Sequence, residues 1–219
     1  MSIAHKNIND VQSVYFIGIG GIGMSAIAKY FLSLGKNVSG YDKTETEITR
    51  QLMHEGANIH YEEDLDLIAK DADYVVYTPA VPKDHKELLY YMNGGYAVVK
   101  RSDILQIISE SSFNICVAGT HGKTTTSTMI AHLLRDSGFG CNAFLGGISA
   151  NYGTNFWSSS NNVCVIEADE YDRSFLKLSP DVAVITAMDA DHLDIYENEE
   201  NVKDAFRQFA GKIKKTVCY

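Results

Sequence analysis

Twice in this chain an apolar run breaks off at glycines and gives way to a helical pattern. VYFIGI (14–19) leads into GIGGIG (18–23) and then MSAIAKYFLSLG, while ICVAG (115–119) leads into GTHGKTTTS (119–127) and a helical stretch ending at Gly138. A buried strand that turns through glycines into a helix opens a parallel βαβ unit, because parallel strands need a crossover and the helix supplies it. The helix start then aims unpaired backbone N–H groups at whatever lies beyond the loop, which makes it an anion site. Two such junctions predict two α/β units, each with its own phosphate cradle.

The rest of the pattern agrees. Strand-like segments at 14–19, 37–42, 57–61, 73–82 and 96–101 alternate with helical ones at 24–35, 46–56, 65–72, 86–95 and 102–110, the last with Ser102 as its expected N-cap. That alternation predicts a Rossmann-like doubly wound parallel sheet. The polar stretch SESSFN (109–114) marks a boundary, giving expected domains of 1–110 and 111–219. Beyond it, NVCVIEADE (162–170) and DVAVITAMDADH (181–192) are strongly apolar strands with acidic or histidine ends, and KKTVCY (214–219) begins another strand. The second unit reads as a P-loop-type ATPase α/β domain, cut short.

Composition narrows the function classes. With 45% hydrophobic and 21% charged residues the chain is an ordinary globular one. A formal net charge of −9 repels a polyphosphate backbone, so no nucleic-acid partner is expected. Glycine loops can still hold phosphate through backbone amides. No apolar stretch reaches the ~18 residues of a membrane span, and the N-terminal MSIAHKNIND lacks a signal-peptide core. Cys116, Cys141, Cys164 and Cys218 form no CxxC, so they read as small buried residues of a cytoplasmic protein.

In the first loop Gly18, Gly20 and Gly23 fit G-x-G-x-x-G. The first glycine permits the turn, the second lets a pyrophosphate approach, and the third packs helix on strand. Asp42 ends the second strand, where an acid can hold a ribose hydroxyl. Such a loop accepts any nucleotide diphosphate, whether a UDP-sugar or NAD. The second loop is a shortened Walker A sequence, with Val117 where the full form has glycine. Gly122 allows backbone approach, Lys123 reaches the β/γ-phosphates and Thr124 a magnesium ion. Thr125, Thr126 and Ser127 are poor helix formers whose hydroxyls suit an anion, and His121 lies within the loop. Glu167 and Asp169 follow their strand as a Walker B acid does. Asp189, Asp191, His192 and Asp194 close the next one, where His192 is a candidate ligand.

Together FIGIGGIGMSAIA, VSGYD, VVYTPAVP, AGTHGKTTTS, EADEYDRSF and DADHLDIY resemble the Mur ligase family, in order and spacing over nearly the whole chain. The resemblance implies ATP-dependent amide ligation with Mg²⁺, and its glycine loop is most similar to the member joining L-alanine to UDP-N-acetylmuramate. It implies a UDP-sugar site at Gly18, Gly20, Gly21, Ile22, Gly23, Met24, Ser25, Asp42, Thr78 and Ala80. It implies an ATP site at Gly119, Thr120, His121, Gly122, Lys123, Thr124 and Thr125. Lys123, Glu167 and His192 would be catalytic, with Thr124, Glu167 and His192 on metal. Some relatives carry a carbamylated lysine near the position of Phe206 or Arg207 in this chain, so none is expected here. A nicotinamide oxidoreductase is the alternative that the first loop alone would allow, and a non-catalytic nucleotide switch the one the second alone would allow.

Overall fold

A computed structural model describes residues 7–189 and 196–218. The chain divides into two compact units, Met1–Ile107 and Ile108–Tyr219.

The first unit is built on one parallel sheet. Its strands are β1 (Ser13–Ile17), β2 (Asn37–Tyr41), β3 (Asn58–His60), β4 (Tyr74–Tyr77) and β5 (Val98–Lys100), in the order β3-β2-β1-β4-β5. The connecting helices are α1 (Ile22–Ser33), α2 (Glu47–His54) and α3 (Lys86–Asn93), and α4 (Arg101–Glu110) follows β5 directly. The chain winds outward from β1 to β3 and then returns to β4. The reversal between β1 and β4 opens a crevice at the carboxyl ends of the strands, where open α/β sheets take their ligands. All five residues of β1 are buried. Tyr15 and Ile17 pack with Val75, Leu88 and Tyr91, while Phe16 meets Phe31 of α1. Alternate residues of a strand face opposite sides, so this central strand needs apolar residues throughout.

The second unit carries a six-stranded sheet ordered β11-β10-β6-β9-β7-β8. The strands are β6 (Phe113–Ala118), β7 (Asn142–Ser149), β8 (Thr154–Trp157), β9 (Val163–Glu167), β10 (Val182–Ile185) and β11 (Thr216–Cys218). Every pairing is parallel except β7 with β8. Helix α5 (Lys123–Asp136) follows β6, and α6 (Glu199–Ala210) precedes β11. Ala131 of α5 packs with Ala143, Leu145, Trp157 and Val165. Phe206 and Phe209 of α6 pack on Phe175, at ring separations of 5.3 and 5.0 Å.

Several expectations need correction. Residues 65–72 form turns instead of a helix. The Ala69 and Lys70 carbonyls accept the Tyr91 and Tyr96 hydroxyls at 2.8 and 3.0 Å, so tertiary partners take the backbone groups a helix would pair. Ser102 lies inside α4, which begins at Arg101; Asp103 instead accepts the Lys100 amide at 3.0 Å. The β7–β8 hairpin and α6 were not anticipated. Asp191, His192 and Asp194 lie outside the described residues.

Candidate functional site: two loops at two sheet edges

Parallel register decides what surrounds each loop. Ile17, the last residue of β1, pairs with Tyr41 of β2 and Tyr77 of β4, so Gly18 emerges beside Asp42 and Thr78. The Gly18 and Ile19 amides donate to the Tyr41 carbonyl at 2.8 and 3.1 Å, tying the loop to β2. A Cβ on Gly18 would touch the Thr78 methyl at 3.4 Å, and Thr78 Oγ1 in turn accepts the Ala80 amide at 3.4 Å. Thr78 therefore lines the β1–β4 side of the loop, with Val81 beside it, while Ala80 is tied to Thr78 through its amide.

Gly18 has φ +85°, as its expected turn role requires, and the other glycines of the loop make room for further neighbours. A Cβ on Gly20 would fall 2.9 Å from Asp42 Oδ2, and that oxygen accepts the Gly20 amide at 2.7 Å. Asp42 Oδ1 accepts the Thr44 amide at 3.2 Å. Both carboxylate oxygens thus brace backbone amides, so Asp42 acts first on the shape of the loop. A Cβ on Gly23 would land on the Arg101 guanidinium, so this glycine clears space for that cation. Arg101 was not singled out from the sequence. The signal was available: it stands directly after β5, and a parallel sheet brings that end to the same edge as the loop. Met24 and Ser25 are buried, with the Ser25 hydroxyl donating to the Ile22 carbonyl and its amide to Gly21. Their side chains serve α1, and the first-turn amides are what α1 offers an anion.

In the second unit Val117 pairs with Glu167 of β9, and Ala118 with Ile185 of β10. The loop after β6 therefore sits between the ends of its two neighbours. Thr120 donates its amide to the Ala187 carbonyl at 3.1 Å and accepts the Asp189 amide on Oγ1 at 3.1 Å. The Thr186 hydroxyl donates to the His121 carbonyl, so the segment after β10 fastens the loop at two successive residues. Gly122 has φ +79° at the N-cap of α5, a left-handed conformation that a side chain resists. His121 is exposed, 3.6 Å from Asp189.

Lys123 opens α5 and turns back over the loop. Its Nζ donates to the Gly119 carbonyl at 2.7 Å and to Glu170 Oε1 at 2.8 Å, and Glu170 is only 1% exposed. Thr124 donates its hydroxyl to Glu167 Oε1 at 2.9 Å, and Ser127 reaches Oε2 at 3.4 Å. Ser127 is buried and faces Glu167, whereas Thr125 is exposed. Lys123 and Thr124 thus stand at the start of one helix with two carboxylates: Thr124 meets Glu167, as strand-end geometry led one to expect, while the acid paired with Lys123 is Glu170, which was not singled out from the sequence. Asp169 instead accepts the Tyr171 amide at 3.1 Å and helps shape the turn that follows.

Among the described residues, no group of three His, Cys, Asp or Glu side chains could by itself hold a metal. Thr124 and Glu167 nevertheless fit magnesium. This hard ion takes oxygen donors, needs one or two from protein, and completes its shell with water and phosphate. Burial pushes the Cys116 and Cys164 thiols up, and the Cys141 thiol up to about 11, so none is a nucleophile near neutrality.

Comparison with known proteins bears on both units. The Mur ligase family catalytic domain matches residues 13–112, and the Mur ligase middle domain matches residues 117–218. The chain belongs to the Mur ligase family. This Mur ligase chain is 56% identical over 215 residues to the UDP-N-acetylmuramate–L-alanine ligase of Phocaeicola vulgatus, covering 95% of the chain and 47% of that protein. It is 53% identical over 218 residues to the enzyme of the same name from Parabacteroides distasonis, covering 97% and 47%. The crystal structure of UDP-N-acetylmuramate-alanine ligase from Thermotoga maritima matches with a TM-score of 0.85 at 33% identity, over 94% of this chain and 49% of that one. The UDP-N-acetylmuramate:L-alanyl-gamma-D-glutamyl-meso-diaminopimelate ligase of Neisseria meningitides matches with 0.84 at 26% identity, over 93% and 68%. The chain spans about half the length of the curated relatives it matches.

Proposed function

We propose that this chain is the nucleotide-binding portion of an ATP-dependent ligase that joins L-alanine to the lactyl carboxylate of UDP-N-acetylmuramate. Residues 1–110 would bind the UDP-sugar and residues 111–219 would bind ATP. The observation that carries the reading is the convergence of Lys123, Thr124 and Glu167 beside a glycine loop, in a chain that already has a second such loop elsewhere. An oxidoreductase would use the first loop and leave this cluster without work.

The chemistry explains why two loops are needed. A carboxylate is a poor electrophile with no leaving group, so an amine does not displace its oxygen at neutral pH. Transfer of the γ-phosphoryl group of ATP gives an acyl phosphate and ADP; the alanine amino group then attacks the acyl carbon and phosphate leaves. Both the acid and the phosphoryl donor carry phosphates, hence one cradle for each.

Bringing a carboxylate onto a triphosphate sets anion against anion, so the protein's task is positioning and charge neutralisation. In the first unit the α1 amides would take the diphosphate and Arg101 would add a positive charge beside Gly23. In the second, Gly119 to Thr125 would wrap the triphosphate. Lys123 would exchange its Gly119 and Glu170 partners for the β/γ-phosphates. Thr124, Glu167 and His192 are the residues proposed to hold magnesium, which when bound would offset phosphate charge.

Thermal shift against UDP-N-acetylmuramate, ATP with magnesium, and NAD tests the assignment. Separate stabilisation by the first two and none by NAD is expected. Stabilisation by NAD would replace the ligase reading with the oxidoreductase one.

A further inference from the structure

We infer that Gly146 is a positioning residue for Glu167, setting through its amide and its lack of a side chain where that carboxylate stands. The inference rests on the reading of Thr124 and Glu167 as ligands of a magnesium–nucleotide complex.

Strand β7 runs parallel to β9 only across Asn142↔Cys164, Ala143↔Val165 and Phe144↔Ile166. Its antiparallel pairing with β8 shifts register between Phe144 and Ser149. At Gly146 the strand has thus left the β9 ladder just before the level of Glu167. Its amide turns instead to the Glu167 side chain, donating to Oε2 at 2.8 Å. The other oxygen, Oε1, accepts the Thr124 hydroxyl at 2.9 Å. With the Ser127 hydroxyl 3.4 Å from Oε2, the carboxylate is strung between the helix carrying the phosphate loop and a backbone amide of β7, and these contacts together set its orientation.

The missing side chain matters as much as the amide. A Cβ on Gly146 would lie 2.6 Å from Glu167 Cδ and 2.8 Å from Oε2, inside contact distance. A Cβ on the neighbouring Gly147 would press the Thr124 methyl at 3.0 Å. Gly146 is not among the glycines with positive φ, so its backbone accepts an L-residue. What an alanine there would strike is the far end of a flexible side chain. The fold can absorb that by moving the Glu167 carboxylate, at the expense of its contact with Thr124. Glycine at 146 is thus explained by the position of a functional oxygen and not by a turn.

Calorimetric titration of the chain with ATP, once with magnesium and once with EDTA, tests this on wild type, Gly146→Ala, Glu167→Asp and the double variant. In wild type, magnesium strengthens ATP binding. Gly146→Ala should lose about 10–100-fold of that gain, the usual effect of removing an outer support of a metal ligand. Its affinity in EDTA and its thermal midpoint should stay near wild type. The shorter aspartate clears the alanine methyl, so adding Gly146→Ala to Glu167→Asp should cost far less than adding it to wild type. A full magnesium gain in Gly146→Ala, an equal cost in both backgrounds, or a collapse of the thermal midpoint would overturn the inference. Absence of magnesium-dependent ATP binding in wild type would instead remove the nucleotide reading beneath it.

Discussion

The two glycine loops leave similar strand ends and are finished in opposite ways. The loop after β1 is braced by an acid, Asp42, whose oxygens hold the Gly20 and Thr44 amides, and it has one guanidinium at its third glycine. The loop after β6 carries its own lysine and hydroxyl and faces the carboxylates Glu167 and Glu170. The first, on the proposed reading, would hold a diphosphate still. The second carries groups already paired with one another, which would exchange partners for a triphosphate on the same reading. On the proposed reading the same local fold would support binding in one unit and chemistry in the other, and the difference lies in what the neighbouring strand ends present.

The sharpest way to break this contrast is Lys123→Ala in the full-length enzyme. A lost cation on the transferring phosphoryl group should lower turnover about 10²–10³-fold, while UDP-N-acetylmuramate affinity stays unchanged. Steady-state kinetics beside a UDP-sugar titration checks both, and equal losses in each would make Lys123 structural. Arg101→Ala is the mirror experiment. Removing a charged partner of the diphosphate should weaken UDP-sugar binding about tenfold or more and leave ATP affinity alone. Calorimetry with each ligand decides it, and unchanged UDP-sugar affinity would mean Arg101 only packs on Gly23.

Asp42→Ala should have a smaller effect. Gly20 and Thr44 would lose their acceptor, costing about 1–2 kcal/mol of stability, read as a lower thermal midpoint. UDP-sugar affinity should fall with it, since the loop loosens. A variant that keeps its midpoint yet binds worse would return Asp42 to direct ligand contact. The smallest effect is expected from thiol reagents. Cys116, Cys141 and Cys164 are buried with raised pKa values, so mild alkylation near pH 8 should leave them unmodified and both ligands bound. Mass spectrometry showing prompt labelling of any of the three would contradict that burial.

Much of this was legible beforehand, for definite physical reasons. Strands β1, β6, β9 and β10 are short apolar runs with glycine, acidic or polar ends, and parallel strands place those ends at one edge. That is how Lys123, Thr124 and Glu167 could be brought together without coordinates. The β7–β8 hairpin was missed because Gly146 and Gly147 interrupt the apolar pattern, and those glycines answer to Glu167 and Thr124, far away in sequence. Helix α6 had readable signals that went unused: Asn198 caps it by accepting the Asn201 amide, and Val202, Ala205, Phe206 and Phe209 form its buried stripe. Arg101 was missed because its role depends on β5 lying beside β4, which no local pattern states. The helix expected at 65–72 is absent where Tyr91 and Tyr96, distant in sequence, take the Ala69 and Lys70 carbonyls.

The central claim is that the two loops hold two different nucleotides at once. A competition titration tests it directly: ATP with magnesium is titrated into the chain alone and into the chain saturated with UDP-N-acetylmuramate. Independent sites predict that ATP binds in both cases, with Arg101→Ala weakening only the sugar nucleotide and Lys123→Ala only ATP. Displacement of one ligand by the other would place both in a single cradle and contradict the account.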